Sequence, residues 1–152
     1  MKNLHVLPTD CPSRLRYNIK TRIWELDEFP KYHTDIKSTH NIYITSEEEI
    51  KEGDWYLDTS MKSSNFAVNK CDSERLETVA KQFKNLFKKI ILTTDQKLIV
   101  GNVQPISGEF LQQFIKNSNC EFVETERLEN GRYVNFLPNG GTEEGVYENY
   151  KI

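Results

Sequence analysis

The sequence predicts an α+β fold: a single, mainly antiparallel sheet of about six to eight strands, with two amphipathic helices on one face. Three observations carry this. Residues 88–124 read as an apolar β-rich run, a polar turn, an amphipathic helix and a second extended run. Apolar residues between Asp72 and Lys89 recur at the spacing of one helical face. The rest of the chain breaks into short runs rich in β-branched and aromatic residues, separated by Gly, Pro, Asn and Asp.

Taken in order, Asn3–Leu7 is an opening strand stopped by Pro8, and Thr9–Ser13 is a turn. Leu15–Ile19 alternates apolar and polar residues, the period of a half-buried strand, and Lys20-Thr21 turns it back into Ile23–Leu26. Phe29–Thr39 has no clean period and reads as a loop. Asn41–Thr45 is a strand, and Ser46–Glu49 has the S-x-x-E form of a capping box, predicting a short helical turn that Gly53 ends. Asp54–Leu57 and Asn65–Val68 are further strands, joined by a polar, mobile linker over Asp58–Ser64. Asp72–Lys89 reads as the clearest helix, with Leu76, Val79, Ala80, Phe83, Leu86 and Phe87 inward and lysines near its end, where the helix dipole favours cations.

Ile90–Thr94 is a compact β-branched run suited to a central strand, and Asp95–Leu98 makes one helical turn. Ser107 is placed to cap a helix running through Lys116, with Phe110, Leu111 and Phe114 inward and Asn117-Ser118-Asn119 stopping it. Glu121–Leu128 is a strand. Asn130-Gly131 is a type I′ hairpin signal, because both residues tolerate positive φ, and it returns the chain through Arg132–Leu137. Val146–Ile152 forms a final edge strand.

A chain of 152 residues fits one domain spanning 1–152. The alternative is a β-rich part over 1–71 and a helix-strand-helix-hairpin part over 72–152, joined near Cys71. A chain of this length buries roughly 68–70% of its unfolded surface and needs no covalent staple. Hydrophobic content is a modest 37%, so the 11% of aromatic residues must supply much of a thin core. The net charge of −3 is too balanced for a general nucleic-acid binder, leaving local patches as the relevant scale. Cys11, Cys71 and Cys120 are odd in number and widely spaced; reduced thiols are the simplest reading, and a Cys71–Cys120 bridge is the alternative. Leu4–Leu7 is too short for a signal-peptide core, and no run reaches the roughly 18 apolar residues of a membrane helix, so a soluble, cytoplasmic protein is expected.

Catalytic chemistry needs convergent groups, and none is written in the spacing. Asn139-Gly140-Gly141-Thr142 lacks the strand–GxxxxGK[ST]–helix context of a phosphate loop and reads as a turn. Glu47, Glu48 and Glu49, like Glu143 and Glu144, are consecutive and point in different directions. His5, His33 and His40 have no metal-ligand spacing, and Cys120 reads as a small buried thiol without an identifiable base. No catalytic residue, metal site or cofactor is therefore assigned. The only local basic density is Lys81, Lys84, Lys88 and Lys89; 81, 84 and 88 share one face of the predicted helix, a surface fit for RNA phosphates or an acidic protein patch. Arg132 opens the tail, and Tyr147 and Tyr150 near the terminus are the expected exposed aromatic pair, residue types enriched at partner interfaces.

NIYITSEEEIKEGDWY (Asn41–Tyr56) resembles the NIYITSxEEIKEGDW signature of a family of uncharacterised bacteriophage proteins. The opening MKNLHVLPTDCPSRL is similar to their starts, and residues 88–124 resemble their second signature, KKIILTTDxxLI followed by EFLxxF[IV]KNxxCE. Together these cover roughly half the chain. Gln112-Gln113 stands where the family usually has Glu-Trp, Gly101-Asn102 stands for its Asp-Gly turn, and residues 20–39, 60–89 and 132–152 match no family pattern. The resemblance implies a shared phage scaffold carrying private surface. The expected function is that of a non-enzymatic phage accessory protein acting by binding in the host cell: a counter-defence inhibitor of a host protein or ribonucleoprotein, such as an RNA-guided CRISPR effector, with contact to RNA as one mode. A module sequestering a small molecule or nucleotide, and a small enzyme, are the alternatives.

Overall fold

A computed structural model describes residues 2–31, 37–82, 85–128, 131–136, 140–147 and 149–152. Strands β1 (Leu4–Pro8), β2 (Ser13–Asn18), β3 (Ile23–Lys31), β4 (Lys37–Ser46) and β5 (Trp55–Asp58) come first, then helix α1 (Ser64–Ala67), β6 (Val68–Lys70) and a π-helical turn at Thr78–Gln82. Next are β7 (Phe87–Thr93), α2 (Gln96–Val100), β8 (Gln104–Pro105), α3 (Gly108–Lys116), β9 (Glu126–Arg127), β10 (Gly131–Phe136), β11 (Thr142–Tyr147) and β12 (Tyr150–Lys151). The fold is α+β. Eight strands form one sheet in the order β3-β2-β4-β7-β5-β6, with β1 beside β4 and β8 beside β7. Every pairing in it is antiparallel except the short β7–β8 contact. The sheet draws strands from both sides of Cys71.

The two central strands follow from their residue types. β4 carries Ile42 and Ile44 into one apolar cluster with Leu4, Leu15, Leu92, Leu111 and Phe114. Tyr43, between them, points to a second cluster with Leu57, Ala67, Ile90 and Leu98. A strand covered on both faces must be apolar at successive positions, which is what Ile90-Ile91-Leu92 supplies in β7. Polar side chains close the seam between them. Thr93 donates its hydroxyl to the Ile42 carbonyl at 2.9 Å, and the Ile42 N–H donates to Thr94 Oγ1 at 2.8 Å. Tyr43 donates its hydroxyl to Asp95 at 2.8 Å; burial first, and then that carboxylate, hold the phenol far above its usual pKa. Helix α3 behaves as its sequence requires. Ser107 accepts from the Phe110 N–H, and Leu111 and Phe114 are buried, each burial worth about 1.5–3 kcal/mol.

Elsewhere tertiary pairing overrides the local pattern. Residues 72–89 are not one helix. Among the described residues the helical part covers 76–82, ending in a π turn at Thr78–Gln82, with Asp72 accepting from the Arg75 N–H at its start as the cap, and Phe87-Lys88-Lys89 join β7. There they pair with Asp58, Leu57 and Tyr56 of β5, and Lys89 also pairs with Ser46 of β4, so ladder bonds on two sides outweigh helix propensity. Leu86, expected inward, is exposed, while Leu76 and Val79 do pack on Ile50 and Tyr56. Phe83 and Lys84 lie outside the described residues. Ser46–Glu49 does not form a helical turn: Ser46 stays in β4 and its hydroxyl accepts from Glu48 N–H in a bend. Residues 64–67 are helical, and the strand begins only at Val68. β3 continues to Lys31 and β4 begins at Lys37, shortening the predicted loop from both ends.

The C-terminal pairing also differs. β10 pairs with β11 and not with 121–128 across Asn130-Gly131, and Asn130 is outside the described residues. Of 121–128 only Glu126-Arg127 is a strand, because its partner is β12. Residues 121–123 are held instead by Asn3, whose side chain accepts from Val123 N–H (2.8 Å) and donates to its carbonyl (2.7 Å). Cys11, Cys71 and Cys120 are all free. Cys120 is half-buried rather than buried. Burial, then Asp72 and Asp54, push the Cys71 thiol up, which keeps it protonated.

Candidate functional site

The strand period decides where the lysines go. Successive residues of β7 face opposite sides of the sheet, so Lys88 and Lys89 part company. Lys89 turns inward. Its side chain is only 8% exposed, and its ammonium lies 3.4 Å from Asp54 and 3.6 Å from Glu48. Tyr150 donates to the same Glu48 carboxylate at 3.0 Å, and Arg127 lies 4.0 Å from it. This is an ion cluster in which the cation is matched by two carboxylates, at the floor of a smaller cavity of about 320 Å³ shared with Trp55 and Lys70.

Lys88 turns the other way, into a groove of about 640 Å³ between the start of β1, the 59–62 segment and the entry to β7. Among the described residues, Lys2, Lys62 and Lys88 line it against one carboxylate, Glu47. Both oxygens of Glu47 accept from the Lys88 ammonium, at 2.6 and 2.7 Å. His5 forms part of the wall. Burial, then the positive charges of Lys2 and Lys88, push its pKa from 6.5 down to about 4, so the ring is neutral at physiological pH. Its Nε2 sits 3.4 Å from the Thr45 hydroxyl. Val6, Leu7 and Met61 supply the apolar part of the lining, and no Phe, Tyr or Trp is present in it among the described residues.

Of the partner-binding residues expected from sequence, Lys88 is the one that enters this groove among the described residues, beside His5 and Glu47, the sequence's candidates for metal or acid–base groups. Lys81 is exposed on the π turn, and Lys84 is outside the described residues. Arg132 and Tyr147 are placed by backbone only, opposite Val146 and Gly131 in the β10–β11 ladder. Tyr150 is not exposed as expected: it is 6% exposed and belongs to the main core. Its ring finds more apolar area there than in water, while its hydroxyl still reaches Glu48. Lys2 and Lys62 were not legible as site residues, since 60 positions separate them and only the fold brings them together. The polar 58–64 linker, which carries Lys62, was their one sequence signal.

The consecutive carboxylates of the 47–49 run part from one another. Glu47 answers Lys88 and Glu48 answers Lys89 on opposite faces. Among the described residues, no three His, Cys, Asp or Glu side chains group as metal ligands. His5 and His40 are each half-buried in strands, His33 lies outside the described residues, and burial lowers the His40 pKa despite its bond to the Ser38 carbonyl. No helix among the described residues is long and apolar enough to cross a membrane. No family model matches the chain, and no curated protein or solved structure matches it.

Proposed function

We propose that this chain acts by binding, as a phage-encoded counter-defence protein that engages a host ribonucleoprotein such as an RNA-guided CRISPR effector. The observation that carries the binding mode is the convergence of Lys2, Lys62 and Lys88 on one groove from three distant points of the chain. Long flexible amines spaced along a groove suit the diffuse negative charge of such a partner and raise its rate of encounter. The phage and counter-defence part rests on the resemblance of residues 41–56 and 88–124.

The test is capture from host lysate with the purified chain as micromolar bait, with and without RNase, beside the Lys2→Glu/Lys62→Glu variant. Both positions are exposed, so the reversal leaves the fold intact. The expected result is a stoichiometric partner held by the wild-type chain and lost from the variant. No partner at micromolar bait, or equal retention by both proteins, would sink the reading.

A further inference from the structure

We infer that the Lys2–Lys62–Lys88 groove is a track for the sugar–phosphate backbone of a single-stranded nucleic acid, read without regard to base identity, in which Glu47 stands in for a phosphate on Lys88 until the strand arrives. This rests on the binding reading above and names the chemistry that the groove recognises.

Four features point to a phosphate backbone. The cations are all lysines, compact point charges that accept phosphate oxygens without demanding one orientation. Among the described residues three ammoniums line the groove, enough to neutralise about three phosphates of a short strand. The lining holds no aromatic ring among the described residues, so the groove offers charge to a strand and no platform for its bases. Recognition therefore falls on the backbone. Finally, Glu47 already shows how an anion sits there: its two oxygens grip the Lys88 ammonium, yet its side chain is 65% exposed while that of Lys88 is 16% exposed. A mostly hydrated carboxylate gives up such a partner at little cost. It swings out as phosphate moves in.

His5 reports on the exchange. The charged groups facing it are Lys2 from the N-terminal segment and Lys88 from β7, with Glu47 and Lys62 on the same groove. A bound phosphate offsets the two lysines and so raises the His5 pKa above its value of about 4 in the free protein.

Fluorescence anisotropy with labelled oligouridine, oligothymidine and mixed-sequence strands of about ten nucleotides tests the proposal. For three phosphates neutralised, the log–log plot of affinity against salt falls with a slope of about −2, and replacing Lys2 or Lys62 by Ala takes about 0.7 from it. RNA and DNA strands of any sequence bind within a few-fold of each other. Glu47→Gln tightens binding by about two- to fivefold, the scale of an exposed ion pair. The His5 ring signals in NMR titrate at higher pH in the strand-saturated protein. No binding at about 100 μM strand, a salt-independent affinity, or unchanged or weaker binding by Glu47→Gln would each overturn the inference. A partner captured from lysate by a chain that binds no oligomer would overturn it while leaving the binding reading in place.

Discussion

A histidine set between two lysines and half-covered by its own sheet gains nothing from a proton. In the unfolded chain His5 accepts one near pH 6.5; in the folded chain it does so only near pH 4. The unfolded state therefore binds more protons between these values, and stability falls as pH drops through that window and is flat above it. His40, lowered by burial, adds to the same trend. His5→Gln should flatten part of the decline between pH 6.5 and about 4 while leaving neutral-pH stability nearly unchanged, as thermal melts across that range will show. An equal slope in both proteins would mean that His5 is not held neutral. The neighbouring lysines make the same point about single residues. Lys88 and Lys89 are chemically identical and adjacent, yet one is a groove cation and the other a buried member of an ion cluster. Which is which depends on the pleat of β7 and not on either residue.

Elements differ in how completely their own residues determine them. Helix α3 is specified locally: Ser107 caps it, Leu111 and Phe114 share its inner face, and Asn117 closes it with its N–H on the Gln113 and Phe114 carbonyls. Ser107→Ala should cost about 1 kcal/mol in denaturant unfolding with an unchanged m-value. A loss near zero would show that packing on Trp24 and the sheet holds the helix without its cap. Residues 72–89 carry an equally regular apolar pattern, yet among the described residues only 76–82 are helical, because Phe87-Lys88-Lys89 lead into the β-branched run that follows and pair with β5, Lys89 also with β4. Periodicity states which residues want to share a face; it does not state whether a better partner lies elsewhere in the chain. The same holds at Asn130-Gly131, a sound turn signal in a segment whose strands pair differently.

At the scale of the molecule, both chain ends are tied to the middle. Asn3 stitches β1 to residues 121–123, and the Gln104 side chain bonds both backbone groups of Tyr150, at 2.6 and 2.8 Å. Tyr150 then inserts into the main core and reaches Glu48, which shares the cluster around Lys89. Among the described residues, Tyr150 is the aromatic anchor of the tail from β9 to β12. Tyr150→Ala should lower stability by about 3–5 kcal/mol. Hydrogen exchange should show the Leu128 amide, bonded to the Asn149 carbonyl, losing protection while the β4 and β7 amides keep theirs. Uniform loss across the sheet would show instead that the tail and the sheet unfold as one unit.

The sequence by itself determined the α+β class, the central strand at Ile90–Thr93, the capped helix after Ser107 and the β1, β2 and β4 runs, because each is written in the spacing of neighbouring residues. Only the tertiary structure decided the fate of 72–89, the burial of Tyr150 and Lys89, and the gathering of Lys2 and Lys62 around Lys88. Those outcomes turn on pairing energies between segments tens of residues apart, which local periodicity does not contain.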